Sequence, residues 1–441
     1  MTDLAIDRPM RADAMPFRHV AAVTVGNALE FYDFTTYGFF AVYIGHAFFP
    51  STTPGASLLL SLATFGVGFI TRPIGGIVIG RIGDRIGRKP AMMLSFTIMG
   101  IAIVGMCLTP PYARIGVAAP VLVVLFRLAQ GFALGGEVGP TTAYMVEAAP
   151  VHRRGFYASL QFASQDSAGL TAGIIGTSLA GLLAPQQLED WGWRAVMLVG
   201  ACVVPFGLWL RRSLPETLHG VDDAALAPDA TAGSLQAPAG ARRHLRIVVL
   251  GLLILGFGGV CSYTVEYMTT YALNTLHRPA TESFGVIIVN GVAWVIFDLT
   301  SGLLSDRFGR RPVMIVSAML LLVSILPAFW LIGHYRSILV FYSASAWMVM
   351  LAALAQTPVV VALTESLPRH IRSGVVATVY AFAISIFGGS TQFIITWLIG
   401  ATGSTLAPAW YWTGATVIGL IAMLLMRESS PLKISAAKGT R

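Results

Sequence analysis

Charge is the scarcest property of this chain. Only 11% of its 441 residues are Asp, Glu, Lys or Arg, while 55% are apolar, and the mean hydropathy is +0.72. A soluble domain carries about 25% charged residues, so much of this surface is expected to face something other than water. Cysteine is equally sparse. Cys107, Cys202 and Cys261 are odd in number, far apart and set in apolar runs, which argues against a disulfide framework and a metal cluster. His46 and the other histidines are scattered without metal-ligand spacing. The glycine-rich loops lack a following Lys-Ser/Thr and a preceding strand, so they do not read as phosphate cradles. No nucleophile motif or redox fingerprint stands out. An ATP-driven pump and a membrane-embedded enzyme are therefore disfavoured, and no metal or cofactor is expected. The polar–apolar alternation of an outer-membrane barrel is missing. A cleavable signal is missing too, because the first apolar stretch, Val20–Ile44, is long and carries its own charges.

Long apolar runs are abundant. Ala91–Pro110, Val313–Gly333 and Tyr411–Met426 each approach the ~20 residues that cross a bilayer core as a helix. In lipid every backbone polar group must be satisfied internally, so the expected structure is helical. Charged and Pro/Gly-rich breaks divide the chain into twelve candidate spans near 17–44, 56–80, 90–109, 118–146, 156–184, 194–211, 246–272, 283–304, 313–333, 338–364, 374–402 and 409–426. With both termini cytoplasmic, the inner segments collect 23 of the 29 Lys and Arg residues, and the outer loops hold only Arg114, Arg194, Arg278 and Arg336. That asymmetry sets an expected orientation, and it accounts for the net charge of +8 without a nucleic-acid partner. Leu214–His244 is rich in Ala, Pro, Gly and Asp and reads as a flexible linker. The expected organisation is an N-terminal six-helix half (1–213), a cytoplasmic linker (214–244), a C-terminal six-helix half (245–427) and a tail (428–441).

The halves repeat each other. Gly80-Arg-Ile-Gly-Asp84-Arg85-Ile-Gly87-Arg88-Lys89 follows the second span, and Gly302-Leu-Leu-Ser-Asp306-Arg307-Phe-Gly309-Arg310-Arg311 follows the eighth. Glu147-Ala-Ala-Pro150 precedes Arg153-Arg154-Gly155, as Glu365-Ser-Leu-Pro368 precedes Arg372-Ser-Gly374. Two independent motifs at one offset point to internal duplication, the architecture of carriers that rock about a midplane site. The glycines permit a sharp turn and close helix approach. Asp84 is placed to accept from backbone N–H groups at a neighbouring helix start, with Arg85, Arg88 and Lys89 holding the inner interface.

The duplicated Gly-x-x-x-Asp-Arg-x-Gly-Arg-Lys/Arg loop resembles the signature of the major facilitator superfamily. Gly26-Asn27-Ala-Leu-Glu30-Phe31-Tyr32-Asp33-Phe34, Arg72-Pro73-Ile-Gly75-Gly76, Arg127-Leu-Ala-Gln130-Gly131, Trp191-Gly-Trp193-Arg194 and Arg212-Ser-Leu-Pro215-Glu216-Thr217 resemble its metabolite:proton symporters. Phe48-Phe49-Pro50, Val361-Ala-Leu-Thr-Glu365 and Ile386-Phe-Gly-Gly389 look most like the citrate and tricarballylate carriers. Phe31 stands where most members carry Trp. Val375-Val-Ala-Thr378 and Thr391-Gln392 replace a Gly-Phe-Ser-Leu stretch and a Thr-Pro usual in the citrate branch. The resemblance implies an all-α membrane protein with twelve transmembrane helices in two halves, the major facilitator fold.

Eight ionisable groups fall inside expected spans: Glu30, Asp33, Arg72, Arg127, Glu137, Asp166, Glu266 and Asp298. Each costs at least ~2.5–3.5 kcal/mol at the bilayer centre, so each should face a cavity or a partner. Glu30 and Asp33 share one helix face at i, i+3. Two like charges in a partly dry site do not both ionise easily, so one is expected to take up a proton near neutral pH. Asp33, inside the family-like motif, is the stronger choice, and Asp166 is a further proton-coupling candidate. Arg72 and Arg127 offer planar guanidinium forks to carboxylates and are expected to bind substrate; the competing reading is a structural ion pair with the acids. Gln130 and Gln165, from a polar patch that includes Gln161, join them as candidate ligands. Tyr263 and Tyr267, near Glu266, are candidates from the second half, with plain packing as the alternative. Arg194 reads either as an outer gate or as an interfacial anchor. Asp298 is expected to join the network of the second signature loop. Gly131, Gly135 and Gly139 form a small-residue stripe for close helix contact.

The expected activity is proton-coupled import of a small organic anion, a di- or tricarboxylate such as citrate or tricarballylate, by alternating access. The proton gradient supplies the energy. Competing expectations are a proton symporter for a zwitterion such as betaine or proline, a carrier of 2-oxoglutarate, shikimate or an aromatic acid, and a transporter-derived sensor. The expected location is the cell inner membrane, as a multi-pass monomer in contact with lipid.

Overall fold

The structure is a computed structural model that describes residues 17–53, 55–85, 88–135, 145, 149–212, 238–367, 369–430 and 433. Those residues form helices and turns, with no strand among them. The first span is Phe17–Phe39 continued by Ala41–Phe48, and the second is Ala56–Ile70 continued by Arg72–Arg85. Arg88–Leu108, Ala118–Leu134, Arg154–Leu182 and Trp193–Arg212 complete the first half. Pro238–Glu266, Ala280–Phe308, Arg310–His334, Ile338–Ser366, the pair Arg369–Ala383 and Gly389–Thr402, and Ala407–Leu425 make the second. Among the described residues seven helices are long and apolar enough to cross a membrane, and Met93–Leu108 and Ala118–Leu134 are shorter apolar helices. Most of the expected linker, residues 213–237, lies outside the described residues.

Two apolar cores are present, each centred on one half and reaching into the other. Phe34, Phe40, Phe48, Phe65 and Trp193 anchor the first, and Phe257, Phe329, Trp294, Met348 and Trp412 the second. The outer surface is also apolar. Ile70, Ile77, Ile101, Leu108, Val323, Trp330, Leu339 and Trp410 are exposed, as expected for rods whose solvent is lipid.

Proline sets two of the contacts that matter for function. Pro73 has no N–H, so the carbonyl of Phe69 lacks the donor four residues on, and the second span breaks at Thr71, whose own N–H turns to that carbonyl. The freed carbonyl accepts a 2.8 Å hydrogen bond from Ser385 of the eleventh span, where that span is itself interrupted by a wider π-type turn at Ile384–Gly388. Pro358 likewise frees the carbonyl of Leu354, and Ser301 of the eighth span donates to it at 3.2 Å.

The halves meet along two seams. The second span packs on the eleventh, with the backbones of Gly66 and Gly389 in close approach. The fifth packs antiparallel on the eighth along its length, from Gly155 against Gly302 at one end to Gly176 against Phe284 at the other.

Candidate functional site

The second signature loop ends in a ring of charges at the basic end of the bundle. Asp306 accepts from the N–H groups of Gly155 and Phe156, both at 2.9 Å, so a carboxylate of the second half caps the first turn of the fifth span in the first half. Free N–H groups and the helix dipole both favour an anion at that position. Arg310, 1% exposed, pairs with Asp306 at 2.6 Å and with Glu365 at 3.3 Å. Glu428 accepts from the backbone N–H groups of Arg310 and Arg311 at 3.0 Å each. Gly309 takes a positive φ of 102° to make the turn, and a Cβ there would lie 2.8 Å from Glu428 Oε2. Arg307 is exposed and rests over Phe308. In the first loop Gly87 lies outside the described residues, as do the side chains of Asp84, Arg85 and Arg88 and the setting of Gly80.

At mid-depth the second and fourth spans are brought together by missing side chains. Gly131 lies against the carbonyl of Gly68, Gly75 against that of Phe132, and Gly135 against that of Arg72. Any Cβ at these positions would collide with backbone. Thr71 adds a 2.7 Å bond to the carbonyl of Leu128. This close approach brings Arg72 and Arg127 to one ring: Phe34 has the guanidinium carbon of Arg72 4.4 Å from its centroid and that of Arg127 4.7 Å away. Arg72 also lies 4.3 Å from the Phe69 ring centroid, and Arg127 lies 4.2 Å from Tyr37. Cation–π contacts of this kind partly replace water for a buried cation.

Neither arginine forms an ion pair among the described residues. Arg127 is 0% exposed and donates from Nη1 to Gln130 at 2.7 Å. Its Nε and Nη2 are buried without a partner, and the same two atoms of Arg72 are buried without one. Nε–H and Nη2–H form the side of a guanidinium that grips a carboxylate with two parallel bonds. Both cations thus leave the carboxylate-binding edge unused. Asp33 is 2% exposed and neither of its oxygens has a hydrogen-bond partner among the described residues, although it is close enough to feel the charge of Arg127.

The second half closes this site with aromatic and polar groups. Tyr263 sets its ring edge-on to Phe65 and Phe69 at 5.8 and 5.3 Å. Glu266 accepts a long 3.4 Å bond from Gln392 of the eleventh span, and both reach toward Gly38 of the first. Two further expected ligands are held by their own hydrogen bonds. Tyr267 is buried in the core of the second half and accepts from Thr396 at 2.9 Å. Gln165 donates to Asn27 at 3.5 Å, tying the fifth span to the first. The side chain of Glu30 lies outside the described residues. Arg194 donates to the carbonyls of Asp190 and Thr109 at 2.9 and 3.2 Å and stacks on Trp193.

Asp298 corrects an expectation. It takes no part in the Asp306–Arg310 ring and instead accepts from Thr357 of the tenth span at 2.6 Å. Eight residues separate it from Asp306, ~12 Å along a helix, beyond the reach of that ring. The phenylalanine cage escaped the sequence reading, although Phe65, Phe69 and Arg72 recur at the i, i+4, i+7 spacing of one helix face.

Comparison with known proteins places the fold in a family. Residues 23–390 match the Major Facilitator Superfamily. The chain is 36% identical over 433 residues to a citrate-proton symporter of Salmonella typhi, covering 97% of this chain and 98% of the relative. It is 34% identical over 421 residues to a citrate-proton symporter of Klebsiella pneumoniae, covering 95% and 94%. It is also 33% identical to a proline/betaine transporter of Escherichia coli strain K12, covering 94% and 84%. In shape it resembles the crystal structure of a D-xylose-proton symporter with a TM-score of 0.76 over 94% of this chain and 98% of that one, at 19% identity. The duplicated loops, the two six-helix halves and these matches agree: the chain is a multi-pass membrane protein that belongs to the Major Facilitator Superfamily.

Proposed function

We propose that this protein imports a small organic polycarboxylate, with citrate or tricarballylate the best fit, together with protons. The observation that carries this reading is the pair of buried guanidinium groups whose Nε/Nη2 edges are both unused. A tricarboxylate presents one carboxylate to each edge and keeps a third for Gln130, whose amide nitrogen is also without a partner. Asp33 is the proposed proton carrier. Burying an unpaired charge costs several kcal/mol, so this carboxyl changes charge only when its surroundings change, and a reorienting Arg127 supplies that change. Substrate and proton enter from one side, the halves rock, and both leave on the other. We place the protein in the inner membrane with the basic end and both termini in the cytoplasm, acting as a monomer.

A zwitterion such as betaine or proline is the second reading, supported by the proline/betaine relatives. Betaine needs aromatic faces for its quaternary ammonium group. Here the faces of Phe34, Phe69 and Tyr37 are already covered by Arg72 and Arg127, which favours anions. Competition separates the two. In proteoliposomes, uptake of labelled citrate is expected to be suppressed by excess tricarballylate and unaffected by equal betaine. Betaine uptake with no response to citrate would overturn the anion assignment.

A further inference from the structure

The seam between the fifth and eighth spans holds a pair of acids that the substrate site does not use. Asp298, 0% exposed, accepts from Thr357 on Oδ1, while its Oδ2 is buried with no partner that donates to it. Asp166 of the other half stands on the side of the fifth span that faces Asp298 across this seam, near enough for each carboxyl to feel the other's charge.

Backbone packing dictates the meeting. Gly155 and Ser159 lie against Gly302, Leu170 against Gly291, and Gly173 against Ile287. Rising numbers on one helix meet falling numbers on the other, so residues 163–166 come beside 295–298. Glycines on both helices make this approach close, and no cation forms an ion pair with either acid among the described residues. Glu266 of the seventh span and Tyr380 of the eleventh are the other ionisable groups, among the described residues, near enough to feel the charge of Asp166. The tenth span contributes the Thr357 hydroxyl, and the first reaches the neighbouring Gln165 through Asn27.

We propose that Asp166 and Asp298 hold one proton between them and act as a proton-operated clasp across the two halves, separate from Asp33. Two carboxylates on facing sides of a close seam repel, and the pairing becomes attractive only when one oxygen carries a hydrogen for the other to accept. The clasp is closed in this arrangement of the halves. If the fifth and eighth spans part, the O–H bond breaks to water, one proton is released, and both carboxylates are hydrated; closing takes up one proton. The shared proton therefore links the position of the seam to pH without involving the substrate.

Infrared difference spectroscopy of the purified protein near neutral pH tests this without any transported ligand, so its failure is distinguishable from a failure of the citrate assignment. An amide donates to a carboxylate without an added proton. Asp166→Asn and Asp298→Asn are therefore each expected to lose the same protonated-carboxyl carbonyl band, about one carboxyl equivalent, while Asp33→Asn keeps it. Thr357→Val removes a donor and is expected to move the band without abolishing it, which keeps the test open if an asparagine variant does not fold. A band that keeps its wild-type position and intensity in the folded asparagine variants, or in Thr357→Val, overturns the clasp.

Discussion

Arg127→Gln is expected to weaken citrate binding on the order of 30-fold to several thousand-fold, measured by calorimetry on the detergent-solubilised protein. Removing one partner of a buried, hydrogen-bonded charge pair costs about 2–5 kcal/mol, and each ~1.4 kcal/mol is a factor of ten in affinity. Arg127→Lys is expected to recover only part of the loss. Lysine keeps the charge but is a point donor, whereas the unused Nε/Nη2 edge grips both oxygens of a carboxylate. Arg127 also packs on Phe34, Tyr37 and Phe65, so some loss of thermal stability accompanies the substitution. A thermal midpoint close to that of wild type with binding gone separates recognition from packing. Unchanged citrate affinity in a folded Arg127→Gln protein would remove Arg127 from the substrate site.

The second large effect is expected at the seam between the signature loop and the fifth span. Arg310→Ala leaves Glu365, whose side chain is only 2% exposed, without its nearest cation, and takes the guanidinium away from Asp306. Breaking a buried ion pair from one side costs ~3–5 kcal/mol because the remaining charge is left uncompensated. A clear fall in the thermal unfolding midpoint in detergent is the expected outcome. Arg310→Met combined with Glu365→Gln is expected to recover part of the loss, since it removes the stranded charge as well. Arg154, 3.9 Å from Glu365, limits how complete either effect is. A midpoint unmoved by Arg310→Ala would show that the ring contributes little to holding the halves together.

Much of the fold was legible because lipid imposes a simple rule on sequence. Apolar runs marked the rods, the Lys/Arg bias marked one end, and the repeated loop at Asp84 and Asp306 marked the duplication. The buried charges of the candidate site were legible where each stood at odds with its apolar surroundings, as at Asp33, Arg72 and Arg127. What stayed hidden depended on packing between distant segments. Tyr263 and Tyr267 are one helical turn apart, yet Tyr263 reaches the cage and Tyr267 the core of the second half, the seventh span being interrupted between Glu266 and Met268. Asp298 looked tied to the loop by sequence proximity, but its partner follows from Thr357 beside the Pro358 interruption, fifty-odd residues away. The link from Pro73 through the freed Phe69 carbonyl to Ser385 spans 316 residues and has no local signal at the receiving end.

The most direct measurement of the central claim is uptake of labelled citrate into proteoliposomes under an imposed proton gradient, with wild type beside Asp33→Asn. Wild type is expected to accumulate citrate only when the gradient points inward. Asp33→Asn is expected to exchange labelled for unlabelled citrate across the membrane and to accumulate none against its gradient. Gradient-driven accumulation by Asp33→Asn at the wild-type level would contradict the assignment of the coupled proton to this carboxyl.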